Sequence, residues 1–183
     1  MPPTNKTRTV GRPRGFDRDK VIEQVLKAFW MHGYDGTSMS IIKSVTGLEA
    51  PSIYGAFGNK EQLFKTCIEK YRDITKPIHD KALSQPNAWL VAKCALEGMV
   101  EHMTSEDRPD GCLIIIGAVV CAPSSDSMRH YLSDIISFSN SRYVKRFERS
   151  IEEGDLPKSA DASVLANYLF TLDGGQALQA KAG

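Results

Sequence analysis

The hydrophobic positions of this chain recur at three- and four-residue intervals, the period of an amphipathic helix. In DRDKVIEQVLKAFWMHGY, Val21, Ile22, Val25, Leu26 and Phe29 fall on one face. Asp17 is placed to cap that helix and Gly33 to end it. A second, short helix is predicted in TSMSIIKSVTG, with Thr37 as N-cap, Met39, Ile42 and Val45 on the inner face and Gly47 just past the end. Pro51 opens a third, PSIYGAF, because proline's missing N–H costs nothing in a first turn. Gly58 closes it. Asn59 and Gln62 then form an Asn-x-x-Gln capping box for a longer helix carrying Leu63, Phe64, Cys67, Ile68 and Tyr71. Pro77 is expected to kink or end that helix.

The remainder reads as helical too. NAWLVAKCALEGMVEHM forms one helix, and GCLIIIGAVVCA, apolar all round, is expected to be buried on every side. From about Ser127 to Glu153 a long helix places Met128, Leu132, Ile135, Ile136, Ser139, Tyr143, Phe147 and Ile151 inward, and Gly154 and Pro157 stop it. A last helix starts near Asp161. No alternating strand pattern and no internal repeat is present. The expected fold class is all-α, divided into a basic arm (1–15), a three-helix unit (16–62) and a larger helical unit (63–183).

A helix, a tight glycine-containing turn and a second short helix make a helix-turn-helix, whose second helix enters the DNA major groove. Charge agrees with this. Residues 1–60 hold nine Lys/Arg against five acids, and the rest fourteen against seventeen, so the polyanion site is expected at the N-terminal end. In the second helix of the motif, Ser52 and Tyr54 can reach phosphate or base edges, and Gly55 lets the backbone approach closely. Thr37 and Ser38 open the preceding helix, where hydroxyl and N–H groups can hold a phosphate. Lys60 can pair with another. In the arm, Arg12 and Arg14 flank Pro13, a form suited to a minor groove.

Residues 12–64, RPRGFDRDKVIEQVLKAFWMHGYDGTSMSIIKSVTGLEAPSIYGAFGNKEQLF, resemble the DNA-binding domain of the TetR family of bacterial repressors. The likeness lies in the Gly-Tyr after helix one, then Gly-Thr-Ser-Met, Gly-Leu, Ser-Ile-Tyr-Gly-x-Phe and Lys-Glu-Gln-Leu-Phe. It implies a homodimer on a near-palindromic double-stranded operator, released when a small-molecule effector enters the C-terminal domain and moves the fourth helix. Carried over by position, Thr37, Ser38, Ser52, Tyr54 and Lys60 match DNA-contacting positions, and Ser40 and Lys43 can join them. The resemblance also implies a last helix running beyond Gly183.

An effector pocket is expected between the helices of the second unit, lined by Trp89, Met99, Met103, Ile116, Val120, Phe138 and Phe170, with His102 and Arg142 to orient a polar group. Dimerisation is expected through the two C-terminal helices. Leu165, Leu169, Leu172 and Gly175 are candidate interface positions, the leucines facing either a partner or their own core. Cys112, after Asp110-Gly111, is expected at a helix N-terminus, where a thiol's pKa falls. That leaves open a redox sensor, or a soft-metal site with Cys94 and His102.

The other reading, an all-helical enzyme, lacks a Ser-His-Asp order, an H-E-x-x-H motif, a phosphate loop or a cofactor signature. Cys67, Cys94, Cys112 and Cys121 have no C-x-x-C spacing and suit a reducing cytoplasm. The opening MPPTNKTRTV has no apolar core, so no signal peptide is expected. The longest apolar run, eleven residues, is too short to cross a membrane.

Overall fold

A computed structural model describes residues 15–183. They form α1 (Arg18–Gly36), α2 (Met39–Thr46), α3 (Ala50–Phe57), α4 (Lys60–Leu83), α5 (Ala88–Met103), α6 (Leu113–Val120), α7 (Asp126–Glu152) and α8 (Ala162–Ala182), with a 3-10 turn at Pro123–Ser125. No strand occurs among the described residues.

The local signals act largely as expected. Asp17 caps α1, accepting from the N–H groups of Asp19 and Lys20. Gly33, at φ 70°, breaks the regular helix before a final turn through Gly36. Asn59 and Gln62 make both bonds of the capping box on α4. Gly58 sits at φ 78°, and a Cβ there would lie 1.8 Å from Gln62 Oε1, so the box closes only over a glycine.

Three expectations are corrected. Ser38, not Thr37, is the N-cap of α2, its Oγ accepting from Ile41 N–H at 3.2 Å. Thr37 is wholly buried and its hydroxyl donates to the carbonyls of Gly33 (2.7 Å) and Ala28 (3.2 Å). Pro77 does not end α4, which continues to Leu83. The carbonyl that Pro77 leaves without an intrahelical partner belongs to Asp73, an exposed residue, so water can satisfy it. Finally, α6 is not buried all round: Leu113, Ile114 and Gly117 face inward, whereas Val119 and Val120 are exposed.

One core runs from the first three helices into the rest. Phe29 meets Phe64 edge-on at 4.9 Å, and Trp30 meets Tyr71 at 4.8 Å. α4 therefore crosses the boundary expected at residue 62 and is shared by both units. A second cluster, around Val91, Tyr143, Phe147, Ala166 and Leu169, holds α5, α7 and α8 together at the far end.

Candidate nucleic-acid interface and effector cavity

α3 divides its residues by face. Ile53 and Phe57 are buried and dock it on α1 and α4, while Ser52, Tyr54 and Gly55 point to solvent. No atom outside the local chain lies within 4 Å of a Cβ placed on Gly55, so its face is open. Arg18, which the sequence pattern did not single out, anchors this helix. Its Nη1 donates to Ala56 O at 2.8 Å, and its guanidinium lies 4.6 Å over the Phe57 ring. The carbonyls of a helix's last turn lack intrahelical donors, so a cation there is favoured.

Ser38, Ser40 and the α3 face residues are all exposed. Lys43 is engaged with Glu49 at 2.6 Å. Lys60 rests 4.4 Å over the Tyr34 ring, and partial burial lowers its pKa, with Asp35 offsetting in part. Thr37 is buried, and its hydroxyl is engaged by the Ala28 and Gly33 carbonyls. Arg12 and Arg14 lie outside the described residues.

Two cavities of the larger unit have room for a small molecule. One, 590 Å³, opens between α4 and α5 and is lined by His102, Arg108, Cys94 and Lys93 among others. The second, 390 Å³, lies between α4, α6, α7 and α8. Of the expected pocket residues it gathers Met99, Cys112, Phe138, Arg142 and Phe170. His102 lines the first cavity instead, and the other four candidates line neither. Trp89 is 74% exposed on the outer side of α5, Met103 is buried in the core, Ile116 packs against that core, and Val120 is exposed at the end of α6.

Tyr71 and Asp173, not among the expected pocket residues, lie on the wall of the second cavity. Asp173 is buried on α8, and its Oδ1 has no hydrogen-bond partner; burial pushes its pKa up to about 7. Its signal was legible: Ala162, Ala166, Leu169, Asp173 and Ala177 form one buried helical stripe with a single acid in it.

Cys112 does sit at the N-cap of α6, yet its pKa is raised. Burial outweighs the stabilising hydrogen bond donated by the Tyr71 hydroxyl at 3.2 Å. This overturns the expected reactive thiol: a buried, protonated thiol is a poor sensor of oxidants. His102 is paired through Nε2 with Tyr71 Oη (3.2 Å) and through Nδ1 with Arg108 (3.0 Å), and burial holds its pKa down to about 4. Cys94 and Cys112 line different cavities, and no metal-binding group of His, Cys, Asp or Glu occurs among the described residues.

At the outer surface, Leu169 belongs to its own core and Leu165 is half-buried, whereas Leu172 is exposed. Val164, Tyr168 and Leu172 recur every four residues as an exposed apolar stripe on α8, and Phe138 is exposed on α7. A Cβ on Gly175 would meet nothing within 4 Å.

Comparison with known proteins fits this geometry. A family model for bacterial regulatory proteins of the tetR family matches residues 21–67. The HTH-type transcriptional repressor ComR of Escherichia coli K12 is 30% identical, over 94% of this chain and 83% of that protein. A cysteine mutant of the TetR family transcriptional regulator CifR, solved with 26-bp double-strand operator DNA, superposes with TM-score 0.89 at 32% identity, covering 94% of this chain and 90% of that one. A TetR transcriptional regulator from Chloroflexus aurantiacus shares the fold at TM-score 0.79 and 22% identity.

Proposed function

The chain belongs to the TetR family of bacterial regulatory proteins, a DNA-binding transcriptional regulator and not an enzyme, and from that premise we propose that it acts as a homodimeric repressor released from its operator by a small molecule. The observation that carries this reading is the two-faced α3, docked by Ile53, Phe57 and Arg18, with Ser52, Tyr54 and Gly55 free. Short recognition helices bind weakly alone. Two of them, one helical turn apart on a palindrome, gain affinity and specificity together.

In this reading Tyr54 and Ser52 enter the major groove. Ser38 and Ser40 hold backbone phosphate, and Arg12 and Arg14 of the arm reach the adjacent minor groove. Lys60 and Lys43 supply screened positive charge close to the backbone. The α8 stripe of Val164, Tyr168 and Leu172 meets its equivalent in a second copy, with Gly175 permitting close approach. The division of labour is an arm over 1–15, DNA binding over 16–62 and effector binding with dimerisation over 63–183, with α4 as the shared member. The working compartment is the cytoplasm; among the described residues no helix is long and apolar enough to cross a membrane. An electrophoretic mobility-shift assay on DNA flanking the protein's own gene tests the proposal. Saturable binding that fails for unrelated DNA supports it, and equal binding to both overturns it.

A further inference from the structure

Asp173 is the one acid on the buried stripe of α8, and its Oδ1 is enclosed without a donor. An unsatisfied buried carboxyl costs stability unless something compensates, so its presence on a cavity wall calls for a ligand. The cavity is 390 Å³, within the range that takes a small organic molecule. Its inner walls are apolar, with Met99 of α5, Ile114 and Cys112 of α6, Ile136 of α7 and Phe170 of α8.

The charges around it choose among ligand classes. α4 contributes Arg72, which is paired with Glu69 at 3.1 Å, and Lys76, which is paired with Asp80 at 2.5 Å. α7 contributes Arg142, paired with Asp80 at 2.6 Å. Every cation on the wall is thus already paired with a carboxylate, Lys76 and Arg142 sharing Asp80. Asp73 adds a further acid at the rim. His79 of α4 is kept neutral at physiological pH, with its pKa lowered to about 4 by burial and then by Arg142; its Nδ1 meets the Tyr143 hydroxyl at 3.0 Å. Tyr71 is neutral, as burial raises its pKa. α5 presents no charged group to this cavity.

We propose that this cavity recognises a basic amine carried on an apolar body, with the Asp173 carboxylate accepting the hydrogen bonds of the ammonium group. The inference rests on the reading of this chain as an effector-released regulator and names the chemical class of the effector. The aliphatic and aromatic walls take the body, and the Asp173 carboxyl on the wall takes the ammonium group. An anionic ligand would set a second negative charge against Asp173 in a poorly solvated site. Binding is linked to protons. Asp173 titrates near 7 in the empty cavity, and an ammonium beside it favours the ionised form. Below pH 7 the carboxyl proton therefore leaves to solvent as the ammonium docks, and affinity rises with pH through that range.

The test is isothermal titration calorimetry on the full chain with three matched probes, 2-phenylethylamine, 2-phenylethanol and 3-phenylpropionate. The amine is expected to bind at least tenfold more tightly than the alcohol, and the carboxylate not at all. Repeating the titration at pH 6 in buffers of different ionisation enthalpy should reveal proton release that falls towards zero at pH 8. Asp173→Asn, checked for fold by circular dichroism, should lose the amine preference and the proton release. Equal binding of amine and alcohol, no amine binding, or an unchanged preference in the variant overturns the proposal. Wild-type binding to DNA flanking its gene is measured alongside: a chain that holds that DNA but ignores the amine contradicts only the effector class, whereas one that ignores that DNA contradicts the regulator reading itself.

Discussion

Ile53 and Tyr54 are neighbours on α3 with opposite environments, one 1% exposed and the other 47%. Truncation should separate their roles. Ile53→Ala leaves a cavity under the helix and is expected to cost about 2–5 kcal/mol of stability in a denaturant melt. Tyr54→Ala should leave the melt nearly unchanged while weakening operator binding by about 1–3 kcal/mol, the scale of one base contact, read by fluorescence anisotropy. Asp173 gives a third single-residue test. Its folded pKa, about 7, lies above that of an unfolded aspartate. The folded state therefore holds its proton to higher pH, and stability falls as pH rises from about 4 through 7. Asp173→Asn removes that dependence. It should stabilise the chain by about 2 kcal/mol at pH 8 and by little at pH 4, as thermal melts would record. The face assignment of Ile53 was legible from period alone. The burial of Thr37 was not, because Thr37 and Ser38 are adjacent and both suit a cap; only the Ala28 and Gly33 carbonyls decide which turns inward.

At the scale of elements, α6 is the link to watch. Its N-cap, Cys112, borders the second cavity, and the chain just past its C-terminus is tied to α1. Asp35 accepts from Ala122 N–H at 2.7 Å and from the Ser125 hydroxyl at 2.5 Å, holding the turn after α6 against the end of α1. The Trp30 indole donates to Gly111 O at 3.0 Å on the other side. The segments on both sides of α6 are thus bonded to α1. Asp35→Ala should release the turn, with amide exchange at Ala122 and Ser125 accelerating about tenfold or more. Helix existence and most caps were legible because Asp17, Pro51, Asn59 and Gln62 each have a local mechanism. The partial exposure of α6 was not, since an all-apolar helix reads as buried whichever side meets the core.

For the whole molecule the claim is a dimer built on α7 and α8. Exposed Val164, Tyr168 and Leu172 form an apolar stripe on α8 of the kind that marks association, and Phe138 is exposed on α7. Tyr168→Glu places a charge in that face and should shift the chain from dimer to monomer by analytical ultracentrifugation, with DNA affinity falling at least tenfold as one half-site is lost. The sequence pattern put leucines on this surface but could not choose among them; which side of α8 meets the core depends on Tyr143 and Phe147 across the bundle. The pocket was legible only in part for the same reason. Met99, Phe138, Arg142 and Phe170 converge through the packing of separate helices, and periodicity within one helix does not report that. The most direct test of the central claim is fluorescence anisotropy of labelled DNA from beside the gene, titrated with the wild-type chain across a salt series. The expected result is two protomers per site, preference over unrelated DNA, and affinity falling steeply with salt, by roughly 0.9 in the log–log slope per phosphate contacted. A chain that binds both DNAs equally, or neither at low ionic strength, would contradict it.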